Sequence, residues 1–265
     1  MKKIFTSFQR RLESRPYRRA AFLWLALGIT ILFIIPTLLF IFWPKTEDKQ
    51  NTQTFTETET EVPIEAPKVI ETPVVTPLPN SYDISVPYAA QAPFSNWTVH
   101  EESCEEAAAY MYKSYFDGTV YPNNKIPETE LDTVFRAMKQ WQVTNLGTEP
   151  DLTMTALGEF ARSYYGYTPT VKKEITAEDI KTAISENHPV LVPVMTHSLQ
   201  NSMYGPETTY HVLFIKGYDA TGVITNDAGV GNGPNHHYTW EILMSAIDAQ
   251  TPSMGVGREM LYLTK

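Results

Sequence analysis

Residues 81–265 predict an α+β domain, with helices in the first half and a mostly antiparallel sheet in the second. Three observations carry this expectation. Residues 103–188 hold segments whose apolar positions recur at helical spacing. Beyond Pro189 the chain turns to apolar runs of strand length. Two of these, "YHVLFIKGYD" and "GVITND", are separated by a short Gly- and Asp-containing turn, the pattern of a hairpin. Helices first and strands later favour α+β over an alternating α/β order.

In chain order, "SCEEAAAYMYKSYFDG" starts a helix at Ser103 and stops it at Gly118. Ser103 and Glu106 have the S-x-x-E spacing of a capping box. "ETELDTVFRAMKQW" puts Leu131, Val134, Phe135, Met138 and Trp141 on one stripe. "DLTMTALGEFARSYYG" does the same with Leu152, Ala156, Phe160 and Tyr164. "TAEDIKTAISENHP" opens at Thr176 with acids in its first turn and is ended by Pro189. "PVLVPVM" reads as a buried strand, and residues 196–210 as a long loop of the kind that covers binding sites. "TWEILMSAID" is a further helix and "REMLYLTK" a last strand.

The residues before 81 have a different character. Residues 1–19 form a basic head, and 1–43 together carry seven Lys/Arg against one Glu. Residues 20–43 carry no charge and are long enough to cross a bilayer, which takes about 20 apolar residues. The apolar run is too long for a cleaved signal peptide, and "IFWPKTEDK" is a poor cleavage site. An uncleaved signal anchor is expected, with the basic end cytoplasmic and the C-terminal domain outside. Residues 44–80, rich in Thr, Glu and Pro, read as an extended spacer. Residues 81–265 carry eleven basic and twenty-two acidic groups, which argues against nucleic acid as a partner.

Cys104 is the only cysteine. It cannot form an intramolecular disulfide, so it is a packing residue, an intermolecular link or a reactive thiol. As the first residue of a capped helix it would lie at the positive end of the dipole, which lowers a thiol's pKa. It shares a stripe with Ala108, Met111 and Tyr115, while Glu105 should point about 100° away and Glu106 about 200° away. The dipole supplies roughly 0.3–1 kcal/mol, up to about 2 when partly buried. Bringing a thiol below neutrality takes at least about 2 kcal/mol, so a second group is needed. His211, at the head of a strand, is the best of the six histidines. Asp227 ends the next strand and can lie beside it, fixing the imidazole as in a catalytic triad. Gln91, thirteen residues before Cys104, could donate to a developing oxyanion.

"VPYAAQAPFSNWTVHEESCEEAAAYM", "YHVLFIKGYD" and "ITNDAG" together resemble the papain-like cysteine peptidases related to bacteriocin-leader-processing peptidases, family thirty-nine. The resemblance implies a papain-like α+β fold for residues 81–265, with N-terminal helices packed on the sheet. It implies Cys104 as nucleophile, His211 as general base and acid, Asp227 as its orienter and Gln91 in the oxyanion hole. The substrate would be a peptide or protein outside the membrane, and neither cofactor nor metal is implied. Family members often have Pro after the aspartate, where this chain has Ala228. No segment resembles an exporter or ATPase module, which disfavours cleavage of double-glycine leaders, as does the outward topology.

Three other readings stand beside this one. A transglutaminase-like transfer would replace water with an amine acceptor. A surface binding module would keep the fold without chemistry. A metal site could draw on His197, His211, His236 and His237, although their spacing matches no standard ligand motif.

Overall fold

The computed structural model describes residues 77–147, 151–254 and 257–265, the backbone alone for 251–254. The expected head, membrane span and most of the spacer lie outside these residues. Among the described residues, no helix is long and apolar enough to cross a membrane.

The first helix, α1 (Trp97–His100), is one turn and leads into α2 (Cys104–Asp117), which starts where the sequence places it. Gly118 closes α2 in the left-handed region (φ 63°), which glycine enters without a Cβ penalty. Three further helices follow: α3 (Glu128–Leu146), α4 (Met154–Tyr165) and α5 (Ala177–Ser185). The predicted stripe of α3 buries Leu131, Phe135 and Met138, with Val134 and Trp141 partly covered at its margin. In α5, Thr176 and Asp179 form a reciprocal capping box.

The expected capping box on α2 does not form. Ser103 is the N-cap residue, but its side chain makes no cap bond. Its hydroxyl faces His100 Nδ1 at 3.3 Å and Lys139 Nζ at 3.5 Å instead. Glu106 is buried against α3, where it accepts from the Gln142 amide. Competing partners in three dimensions thus take both halves of the motif.

Among the described residues, seven antiparallel strands form one sheet: β1 (Tyr82–Asp83), β2 (Thr168–Lys173), β3 (Val190–Met195), β4 (Tyr210–Tyr218), β5 (Gly222–Asn226), β6 (Pro234–Thr239) and β7 (Glu259–Thr264). Their order is β2-β7-β3-β4-β5-β6, with β1 against β4. Helix α6 (Trp240–Met254) precedes β7. Three strands were not anticipated, the two-residue β1 among them. β2 comes between α4 and α5, and β6 contains His236 and His237, which the sequence reading assigns to a loop.

The core centres on β3 and β4. Every residue of β3 is buried, and so are all those of β4 after Tyr210. Helix α2 lies against β4 with Ala107, Ala108 and Ala109 at most 1% exposed. These small residues let the helix backbone approach the sheet. Tyr112 then reaches Phe214, ring centroids 5.2 Å apart. Large apolar side chains buried here stabilise by about 1.5–3 kcal/mol each. That packing fixes the N-terminus of α2 at the start of β4.

Candidate active site

His211 is the second residue of β4, opposite Val194 of β3 in the ladder. Asp227 follows directly on β5, whose Asn226 pairs with Phe214 of β4. The hairpin therefore brings the two side chains to one end of the sheet. His211 Nε2 lies 3.1 Å from Asp227 Oδ1, and both residues are at most 2% exposed.

Asp227 has more partners than the sequence suggests. Tyr204, in the long loop, donates its hydroxyl to Oδ1 at 2.6 Å. Tyr238 of β6 donates to Oδ2 at 2.6 Å, and the Gly229 amide to Oδ1 at 3.2 Å. Burial alone would push this carboxyl up, but His211 and the two tyrosines outweigh it and hold it below the ordinary range. An ionised Asp227 can only accept, so His211 Nε2 carries the proton and donates. Nδ1 is then the nitrogen left for proton transfer. Tyr204 and Tyr238 were not recognised from the sequence, because no local pattern links them to Asp227.

Cys104 packs where the α2 N-terminus meets β4. The backbone N–H of Val212, the residue after His211, lies near its sulfur and favours the charged form. The thiol donates to Glu105 Oε2 at 2.9 Å. This overturns the expectation that Glu105 turns away from the sulfur. The wheel angle describes the Cα–Cβ direction, and two methylenes let the carboxylate fold back. Glu105 is 2% exposed, and its Oε1 accepts from the Leu152 amide at 2.9 Å.

The expected lowering of the thiol pKa is also reversed. Burial raises it well above its ordinary value, and the charges of Glu105 and then Glu106 raise it further. The Val212 N–H acts in the other direction and does not compensate. Glu105 is itself pushed up, chiefly by burial, despite the hydrogen bonds it accepts from Cys104 and Leu152. The resting cysteine is a neutral thiol held against the buried Glu105 carboxyl group.

A cleft of about 350 Å³ opens beside this group. Gln91, Trp97, Tyr204, Tyr210, His211 and Gly229 line it, with Glu101 and Glu102 at its edge. Cys104 is 3% exposed and is not a lining residue. Gln91 is anchored by its own backbone N–H to the Ala228 carbonyl at 2.9 Å, so the chain after Asp227 positions it. Its Nε2 donates to the Glu101 carbonyl at 2.5 Å and approaches that of His100 at 3.5 Å. Of the four residues singled out from the sequence, Gln91 and His211 line the cleft, Asp227 is hydrogen-bonded to the imidazole away from it, and Cys104 is not among the lining residues.

The other histidines have separate partners. His100 is buried between Ser103 and Asp132, with Nε2 2.9 Å from Asp132 Oδ1. His237 faces Asp219 and Thr221, and His236 packs on Tyr238. Among the described residues, no group of three or more His, Cys, Asp or Glu side chains is arranged to hold a metal.

The sequence pattern described as the Peptidase C39-like family matches residues 83–247. The chain belongs to the Peptidase C39-like family. The match spans all four site residues and every element from β1 into α6. The α+β, papain-like architecture expected from the sequence is the architecture found. Family membership points to cysteine peptidase activity on peptides or proteins. The chain is also similar to a protein of Bacillus anthracis described as a C39-like peptidase, at 13% identity and a TM-score of 0.44, over 70% of this chain and 98% of that one. No curated protein matches it.

Proposed function

We propose that the protein is a cysteine peptidase that hydrolyses peptide or isopeptide bonds through Cys104, His211 and Asp227. The observation that carries this is the His211–Asp227 pair beside a lone cysteine at a helix start, within a chain of this family. Asp227 holds the imidazole with Nε2–H engaged, so Nδ1 takes the thiol proton. The thiolate attacks the scissile carbonyl carbon, and His211 returns the proton to the leaving nitrogen. Water then hydrolyses the acyl-enzyme, with His211 again as base. In this reading the α2 N-terminus and Gln91 donate to the oxyanion, Gln91 after giving up one carbonyl contact.

Residues 20–43 anchor the protein in a membrane, residues 44–80 act as a spacer, and the catalytic domain faces outward. The support is the uncharged run after a basic head. Protease treatment of intact cells should remove the domain and spare the anchor. Protection of the whole chain would reverse the orientation.

The activity is tested by incubating the full chain in detergent with a mixed peptide library and mapping new termini by mass spectrometry. Cleavage that disappears in Cys104→Ala supports the proposal. Products that are amides of added amines, rather than free acids, would favour acyl transfer. A folded protein that binds peptides without cutting them would make it a binding module.

A further inference from the structure

We infer that Glu105 is a proton latch on the nucleophile: while its carboxylate accepts from the Cys104 thiol the sulfur stays protonated, and a thiolate forms only when Glu105 itself carries a proton. The inference rests on the peptidase reading of the site and adds a residue to it. Its basis is geometric. Sγ and Oε2 are 2.9 Å apart, and both residues are buried, at most 3% exposed. A thiolate and a carboxylate at that separation in a buried site would repel strongly, with no water to screen them. A thiol with a carboxylate, or a thiolate with a carboxylic acid, avoids the clash.

The carboxylate is also held in place. Its second oxygen accepts from Leu152 N–H at 2.9 Å, and the Leu152 carbonyl accepts from the Tyr210 hydroxyl at 2.6 Å. Glu105 therefore cannot leave the sulfur without breaking a buried hydrogen bond, which costs about 1–3 kcal/mol. Taking up a proton is the easier release.

The charged and titratable neighbours favour that release. Glu106 on α2 and Asp151 ahead of α4 both raise the cost of a negative Glu105 or Cys104. Glu102 acts on the same cluster through Asp151 and Glu105. The Tyr210 and Tyr204 hydroxyls lie within reach of the cysteine's charge, and Lys139 bears on Glu106. His211, with its Nδ1, is the remaining proton carrier.

The proton balance is simple. Thiol, neutral imidazole and Glu105 carboxylate take up one proton from solvent. They become thiolate, imidazolium and Glu105 carboxylic acid, the S–H bond being exchanged for an N–H bond on His211. The carboxylic acid then donates to the thiolate. The nucleophile is thus armed by mild acid, the reverse of a free cysteine, whose reactivity rises with pH through about 8.5.

Iodoacetamide labelling of the full chain tests this without a substrate, because Cys104 is the only thiol. Between about pH 5 and 8.5, native protein should label fastest on the acidic side and slow as the pH rises. Glu105→Gln keeps an acceptor for Leu152 and removes the charge, so labelling near pH 8 should rise about tenfold or more, one pKa unit's worth. Glu105→Asp, one methylene too short to span both contacts, should also rise. A wild-type rate that climbs monotonically with pH would overturn the inference even if neither variant folds. So would an unchanged profile in folded Glu105→Gln. Insensitivity to His211→Ala would instead count against the peptidase reading.

Discussion

The His211 imidazole and the Asp227 carboxylate meet at 3.1 Å, Nε2 to Oδ1, at the open end of the β4–β5 hairpin. The pair is buried, so its geometry is set by the sheet rather than by solvent. Asp227→Asn should leave the backbone in place and free the imidazole's tautomer. We expect kcat/KM on a cleaved peptide to drop at least about a hundredfold. Circular dichroism would establish that the variant is folded. Retained activity in a folded variant would remove Asp227 from the mechanism.

Tyr204 and Tyr238 each donate to Asp227 at 2.6 Å. Tyr204→Phe removes one hydrogen bond and Tyr238→Phe two, since the Tyr238 hydroxyl also accepts from the Asn201 amide at 3.0 Å, and unfolding in urea should show a loss of about 1–3 kcal/mol per bond near neutral pH. The pH dependence has a definite sign. The Asp227 carboxyl is held below its ordinary value, so its contribution is present above the unfolded value and lost as pH falls through the folded one. Both variants should lose less stability on acidification than the parent does. Equal acid sensitivity would mean the tyrosines do not hold the charge.

Gly229 sits where a side chain has no room. A Cβ there would lie 2.8 Å from the Tyr204 hydroxyl and 3.2 Å from His211 Cε1. Gly229→Ala should displace Tyr204 or the imidazole and cut activity by about tenfold or more, the penalty for misplacing a catalytic group. Adding Tyr204→Phe should not restore it, because ring carbon Cε1 is itself only 3.1 Å away. A fully active Gly229→Ala would mean that the end of the hairpin adjusts freely.

Glu106 predicts how stability varies toward alkaline pH. Burial first, then the Glu105 charge, push its carboxyl to about 8. Among the described residues, its Oε2 has no hydrogen-bond partner. The folded chain holds this proton more tightly than the unfolded chain, so the stabilisation is full below the ordinary carboxyl value of 4.5 and is lost as pH rises toward about 8. The melting temperature should fall over that window, and Glu106→Gln, which keeps an acceptor for Gln142, should flatten the fall. A parent protein equally stable at pH 5 and pH 8 would contradict it.

Much of this was legible in the sequence because it depends on local rules. The α2 start at Cys104, its glycine stop and the β4–β5 hairpin follow from spacing and turn chemistry, and the hairpin brings His211 and Asp227 together. β2 and β6 were missed for a physical reason. They are the two edges of the main ladder, largely exposed, and each has a proline. Edge strands tolerate proline and need no apolar alternation, so they leave no periodic signal. The capping box on α2 failed because His100 and Gln142 compete for its two members. The Glu105 contact with the sulfur was hidden because wheel geometry says nothing of where a flexible side chain ends.

Covalent capture by an irreversible inhibitor reads whether Cys104 is a nucleophile driven by His211. The full chain is treated with a peptidyl epoxide, an irreversible cysteine-peptidase inhibitor, and its intact mass is recorded. The account predicts one adduct per chain, mapped to Cys104, absent in Cys104→Ala and strongly slowed in His211→Ala. A native protein that takes up no inhibitor, while the same chain unfolded still alkylates, would contradict it.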